Sequence, residues 1–416
     1  MTEEIPNPLR MAAIGCGSRA QTYLRLAGQH PGRYRVVAGA DPRAQRVSRT
    51  AELSGNPDFR CFASADEILA EPRMADLMVI ATQDATHREF SIRAMEKGYD
   101  LLLEKPIATS LEDVLAIEEA ARRQGRRVLI CHVLRYTPLY GKIKAIVASG
   151  QLGELVSLSA TEGVEAWHQA HSFVRGHWAV ARKSSPMILA KCCHDLDIIR
   201  WLVDSPCERV SSFGALSHFK AENAPEGAPA RCRDGCPVEE QCPYNAARYL
   251  GDKRDWLHVC DLKPTAGEER LVDWVHLSPW GRCVYRCDND VVDHQTVNLV
   301  FANEATATLT MTAFAEGRGI EIHGTKARLH GTRSRVVIKP HDSRTPPQRI
   351  DLSTDDSTDY ASHGGGDEGL MAALYDEMMK ENPDEMTSSL RASVESHRIA
   401  FAAEESRLTG LTVKLY

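Results

Sequence analysis

Residues 187–202 read MILAKCCHDLDIIRWL, which sets Lys191, Cys192, Cys193, His194, Asp195 and Asp197 almost side by side. Such residues serve three kinds of chemistry: metal ligation, thiol redox exchange, and acid–base transfer by an imidazole. The apolar positions help decide among them. Leu196, Ile199, Leu202 and Val203 follow helical spacing, so HDLDIIRWLV is expected to be an amphipathic helix. Its acids fall in the first turn, where the helix dipole favours them. His194 then stands near a helix start, and the adjacent Cys192 and Cys193 are poorly placed to share one metal with it. They read as small packing residues. What remains is an acid–base histidine with a lysine close by.

A second chemical motif opens the chain. In RMAAIGCGSRAQTYLRLAG an apolar run ends at Ile14, and Gly15-x-Gly17-x-x-Ala20 leads into helical spacing. This is a dinucleotide fingerprint: the first glycine allows a tight turn and the second lets the backbone approach a pyrophosphate. The helix N-terminus adds N–H donors and a partial positive charge. Gly15, Gly17, Ser18, Arg19 and Ala20 are therefore expected to line the cofactor. A second apolar run, YRVVAGAD, ends at Asp41, an acid placed to accept the ribose hydroxyls and so to favour NAD. Arg43 just beyond it is the residue that would pair with a 2′-phosphate if NADP were used instead.

The elements that carry these residues alternate. ADLMVIAT, YDLLLEKPIA and RRVLICHVLRY read as buried strands, and HREFSIRAMEKG and SLEDVLAIEEAARRQG as helices. The second helix has Ser110 as N-cap, Asp113 at the capping-box position and Gly125 at its end. Strand–helix alternation implies a doubly wound parallel sheet, with ligands at the carboxyl ends of the strands. Thr82 and Glu104-Lys105-Pro106 lie at such ends.

The whole chain of 416 residues is 43% hydrophobic and 26% charged, too long for one typical core, so two domains are expected. The formal net charge of −7, with no basic stripe, argues against a nucleic-acid partner. No apolar run is long enough to span a membrane, and MTEEIPNPLR has no apolar core of a secretory signal. Twelve cysteines without such a signal suggest reduced thiols or metal ligands, and a cytoplasmic location.

Beyond Val156, LVSLSA and HQTVNLVFANEATATLTMTAF alternate as antiparallel strands do. Between them EAWHQAHSFVRGHW concentrates Trp167, His168, His171, Arg175 and His177, rings and polar heads suited to a sugar, with Arg175 able to hold an anionic group. His363, Asp367, Asp293 and His294 are further pocket candidates. Residues 218–287 look like an insertion in which Cys232, Cys236 and Cys242 form C-x3-C-x5-C, with Cys260, Cys283 and Cys287 downstream. A structural zinc or iron–sulfur site is one reading of these thiols, and free thiols are the other.

Taken together, GCGSRAQ, IATQDATH with His87, LLLEKPIA, RYTPLYGKIKAIVASGQLGELVSL, HDLDIIRWL and IEIHGTKARL resemble the Gfo/Idh/MocA oxidoreductase family, from residue 10 to the end. The resemblance implies an N-terminal NAD-binding Rossmann domain (1–132). It also implies a C-terminal α/β domain (133–416) with a large, mostly antiparallel sheet, often buried in dimers or tetramers. It implies hydride transfer from a carbinol of a sugar, glycoside or polyol. Lys105 would hold the reacting hydroxyl, His194 would be the catalytic histidine, and His87 and Glu104 would lie at the cofactor. A minority of the family cleaves glycosides with retained NAD by transient oxidation at C3, including anionic sugars such as sulfoquinovose. This chain departs from the usual pattern: Ala190 stands where an aspartate is usual four residues before the histidine, and Lys191 follows it. Lys191 is thus a candidate for the substrate or for Asp195.

Overall fold

Strands in which every side chain is apolar belong in the middle of a parallel sheet covered on both faces. β4 (Leu77–Ile80) meets that description, as do β1 (Leu9–Ile14) and β5 (Asp100–Leu103) apart from Arg10 and Asp100 near their starts, and the three are neighbours within a six-stranded parallel sheet. The structure, a computed structural model, describes residues 7–260, 267–352 and 363–416. With β2 (Tyr34–Ala40), β3 (Arg60–Phe62) and β6 (Val128–Ile130) the strand order is β3-β2-β1-β4-β5-β6. The connecting helices are α1 (Ser18–Gly28), α2 (Ala44–Ser54), α3 (Ala65–Ala70), α4 (His87–Glu96) and α5 (Leu111–Gln124). The expected caps of α5 are present: Ser110 Oγ accepts from the Asp113 N–H at 3.1 Å, and Gly125 is left-handed at φ 61°.

Thr137 caps and Pro138 begins α6 (Pro138–Ala148), which leads to β7 (Leu155–Val164). Then come α7 (Ala166–His168), α8 (Met187–Ala190), α9 (Cys193–Val203) and β8 (Cys207–Ala215). After the insertion, which includes α10 (Glu268–Leu277), run β9 (His294–Phe301), β10 (Thr306–Thr312), β11 (Glu316–Gly324), β12 (Ala327–Thr332), β13 (Arg335–Pro340) and β14 (Gln348–Asp351). The chain ends with α11 (Gly366–Met379), α12 (Leu390–Thr409) and β15 (Val413–Lys414). The second sheet has nine strands in the order β14-β13-β12-β11-β7-β10-β9-β8-β15, antiparallel except where β7 meets β10. Its alternation is visible in β10, where Ala307, Leu309 and Met311 are buried and the threonines between them are not.

Two expectations need correction. The helix carrying His194 is not amphipathic: Arg200 and Trp201 alone in α9 escape full burial, because the helix lies between the large sheet and α12. Its acids persist there by pairing, Asp195 with Arg318 and Asp197 with Arg135, each at 2.7 Å. The second correction concerns metal. Among the described residues no group of three or more Cys, His, Asp or Glu is arranged to hold an ion. Cys232, Cys236, Cys242 and Cys283 line a cavity with Ala228, Tyr244 and Val284, and all four are free thiols. Burial pushes the Cys242 and Cys283 thiols up. The side chain of Cys260 lies outside the described residues.

The C-terminal helices return to the first sheet. Leu370, Met371 and Leu374 of α11 pack with Met11 and Tyr23, while Leu390 and Val394 of α12 pack with Ile107 and Val114. His397 of α12 is buried and accepts the Ile107 N–H on Nε2 at 2.9 Å, while its Nδ1 meets the Ser393 carbonyl at 2.8 Å. His397→Ala leaves that amide unpaired over a new cavity. A loss of about 2–4 kcal/mol in chemical unfolding is expected, and an unchanged unfolding midpoint would contradict the role given to this contact.

Candidate active site

The glycine turn after β1 has the backbone its chemistry needs. Gly15 is left-handed at φ 86°, and a Cβ there would stand 2.5 Å from the Ala81 carbonyl oxygen. Gly17 is the N-cap of α1 and has no side chain to occupy its first N–H groups, so those donors face outward as a phosphate cradle. Asp41, buried at the end of β2, accepts the Cys16 N–H and the Arg43 N–H, each at 2.9 Å. It pins the turn, and Arg46 stands 3.8 Å from the same carboxylate. These residues fit a dinucleotide. Arg19 does not point to it: its guanidinium turns inward to Glu104 at 2.8 Å and to Asp367 at 2.6 Å.

The segment after β5 carries Lys105, with a cis Lys105–Pro106 peptide. It has no strand or helix of its own, so side chains hold it. Glu104 Oε2 accepts the Lys105 N–H at 3.0 Å, and Tyr23 donates to Glu104 Oε1 at 2.7 Å. His87 meets the Pro106 carbonyl with Nδ1 at 2.8 Å and the Thr82 carbonyl with Nε2 at 3.3 Å. His87 and Glu104 therefore clamp the loop that carries Lys105. Lys105 Nζ donates to the carbonyl of Ala190, the last residue of α8, at 3.1 Å.

That contact brings the Rossmann strand end to His194, at the start of α9. His194 is buried, and neither ring nitrogen has a hydrogen-bond partner among the described residues. Burial, then the positive charge of Lys105, holds its ring well below the ordinary histidine range, so it is neutral. His363, from the loop before α11, lies 5.8 Å from it ring to ring and reaches Asp367 at 3.3 Å. Lys191 pairs with Glu162 of β7 at 3.3 Å, not with Asp195. Arg318 of β11 bridges Glu162 at 2.9 Å and Asp195 at 2.7 Å. The result is an alternating row of two cations and two carboxylates beside the histidine.

The aromatic segment divides. His168 stays with the site: burial, then the charges of Lys191, His171, Lys105 and His363, lowers its pKa well below the usual value. The Trp256 ring of the insertion covers it at 5.2 Å. The others turn away. Trp167 packs on Tyr249 at 5.0 Å, and His171 bonds the Tyr249 hydroxyl at 2.5 Å. Arg175 is buried beside the cysteines, donating to the carbonyls of Arg282 and Tyr244, each at 2.7 Å. His177 lies toward Arg43 and Arg46, whose charges add to the burial that lowers its pKa. Asp293 accepts from Ser217 and His218 at the base of the insertion, with His294 beside it. Glu162, Arg318, His132 and Trp256 were not foreseen. Glu162 and Arg318 sit in strands whose alternation hides a buried charge, and Trp256 lies far off in sequence.

A NAD-binding Rossmann domain joined to this α/β domain defines an NAD-binding oxidoreductase. The chain belongs to the Gfo/Idh/MocA family. The model for the oxidoreductase family NAD-binding Rossmann fold matches residues 9–132, and that for its C-terminal alpha/beta domain matches residues 144–415. The Bacillus subtilis protein YteT is 24% identical over 81% of this chain and 80% of its own length. Inositol 2-dehydrogenase of Pseudomonas fluorescens is 30% identical over 47% of this chain, which spans only 54% of that enzyme. An Agrobacterium radiobacter oxidoreductase solved with NAD+, L-tartaric acid and magnesium shares the fold, with TM-score 0.72 and 16% identity over 98% of this chain and 99% of that one. No helix among the described residues is long and apolar enough to cross a membrane.

Two expectations follow from the geometry. Gly15→Ala should weaken NAD binding at least about tenfold in a fluorescence titration, since the added methyl meets backbone and not a movable side chain; unchanged affinity would remove the turn from the cofactor site. Stability should also fall in acid. Burial holds His132 down to about 4 and His397 to about 3, while an unfolded histidine titrates near 6.5. The stabilisation is full above pH 6.5 and is lost as pH falls toward those values, at about 1.4 kcal/mol per pH unit for each ring. Urea midpoints should drop between pH 7.5 and 5.5; a flat dependence would mean that the rings are not buried and neutral.

Proposed function

We propose that the protein oxidises a secondary alcohol carbon of an uncharged polyol or sugar, with NAD as the hydride acceptor. The observation that carries this reading is the bond of Lys105, at the carboxyl end of a Rossmann strand, to Ala190, which places its charge close enough to act on the unpartnered, neutral His194. Bound NAD supplies the carbon that takes the hydride; Gly15, Gly17 and Ser18 would hold its pyrophosphate and Asp41 its ribose. The Lys105 ammonium has three donors and spends one on Ala190. The other two are left for the substrate hydroxyl, whose oxygen gains negative character as the hydride leaves. His194 accepts the hydroxyl proton, which its neutral ring can do at pH 7. The presence of inositol 2-dehydrogenases among the relatives supports a polyol.

Charge balance supports an uncharged substrate. Lys191 and Arg318 are both matched by Glu162 and Asp195, so neither cation is left for an anionic group. Arg175 is enclosed in the insertion. The two features that favoured cleavage of an anionic glycoside therefore give it no support. A cytoplasmic setting agrees with the eleven described cysteines all being free. Self-association through the outer face of the nine-stranded sheet agrees with exposed Phe213 and Val156 there.

The test is to supply NAD with inositols and free sugars, and separately with aryl glycosides, while following NADH and aglycone absorbance together. Steady NADH from a free polyol or sugar is expected. Aglycone release without net NADH would overturn the reading in favour of a redox-neutral glycosidase. Lys105→Ala should lower kcat by about 10²–10³-fold while NAD affinity stays within about threefold; retained turnover would refute its role.

A further inference from the structure

His132, just beyond β6, is fully buried, and neither of its ring nitrogens has a hydrogen-bond partner among the described residues. Leaving such groups unpaired is costly, so a fold keeps them only where something else is gained. The His132 ring stands edge-on to His194 at 5.6 Å between centroids. On its other flank, Nε2 is 3.7 Å from Asp197 Oδ1. Asp197 is itself fixed by two bonds from Arg135, each 2.7 Å long. His397 lies 5.8 Å from His132, but both its nitrogens are engaged with backbone, so it offers His132 nothing.

We propose that His132 is a positioning residue for His194, linking the reacting imidazole to the buried Asp197 carboxylate. The inference rests on reading His194 as the proton acceptor. In it, the N–H of His132 points to Asp197 and its other nitrogen faces the inner nitrogen of His194, which fixes one His194 tautomer. The outer nitrogen is then the one free to take the hydroxyl proton. As that N–H bond forms and the substrate O–H bond breaks, His132 keeps its own proton and accepts the inner N–H of the new imidazolium. Lys105, His363 and Arg318 also face His194, and all are positive or neutral. Glu104, Lys105 and Arg135 are the other charged groups around His132. Asp197 is thus the carboxylate placed to offset the imidazolium, through His132.

Replacing His132 with Phe and with Gln separates this from a packing role. In the ¹⁵N spectrum of histidine-labelled protein at pH 7.5, assigned with His194→Asn, wild-type His194 should show one tautomer and His132→Phe a mixture. With a polyol substrate, His132→Phe should lower kcat about tenfold or more with KM within about threefold. The acidic limb of its kcat profile should move to lower pH, because the imidazolium has lost its support. His132→Gln, which keeps a hydrogen-bonding head, should recover part of the rate. An unchanged His194 tautomer in His132→Phe, or kcat within twofold of wild type, overturns the proposal. The expected tautomer change in a protein that oxidises no polyol would sustain it, while the reading of the overall reaction would fail.

Discussion

Lys105, the residue we propose to bind the substrate hydroxyl, lies on a stretch with no regular secondary structure, and the rest of the candidate site depends on how that stretch is held. Glu104 bonds the Lys105 amide, His87 the Pro106 carbonyl and His397 the Ile107 amide. These partners come from the strand end itself, from α4 and from α12, so the loop is fixed against three independent elements. The His87 and His397 contacts are buried and that of Glu104 partly so, where a backbone bond is worth most and its loss is most costly. Glu104 is secured in turn by Tyr23 and Arg19 of α1 and, through Arg19, by Asp367 of α11. Burial pushes the Glu104 carboxyl up, but Arg19 and Lys105 outweigh it and hold it below its usual range.

The same matching of charges shapes the pocket. A buried carboxylate or cation without a partner would cost several kcal/mol, and Glu162, Asp195, Lys191 and Arg318 avoid that by pairing with one another. Lys191, which follows Ala190 near His194, is therefore answered from β7 by Glu162, and its charge is balanced within the row. The Trp256 ring of the insertion closes over His168. The insertion serves as a wall of the site, though its cysteines serve its own packing.

Much of this was legible in the chain itself. The glycine turn, Asp41, Lys105, His194 and the capped helix from Ser110 are local signals: each depends on a few neighbouring residues whose backbone requirements are strict. What could not be read is pairing over long distances. Glu162 and Arg318 look like exposed charges in alternating strands until the register of β7 with β11 sets them side by side. Arg175, His171 and Trp167 sit among sugar-binding residue types, yet the turn at 169–174 directs them into the insertion. His87 and Glu104 occupy the expected strand ends but spend their polar atoms on the protein. Proximity in sequence marks where a site lies, and only tertiary contact decides which member faces the ligand.

α12 joins both cores, with Val394 and His397 under the Rossmann sheet and Ser406 donating to the Leu411 carbonyl and accepting the Ser212 N–H of β8 at 2.9 Å. The N-terminal cofactor domain is therefore not a detachable cassette. Its hydrophobic filling includes side chains from the last fifty residues of the chain. In a chimera between relatives, a graft of the first 130 residues would separate the Rossmann sheet from the helices that complete it. A graft that keeps the cofactor domain's packing must carry α11 and α12 along with the loop that bears Lys105.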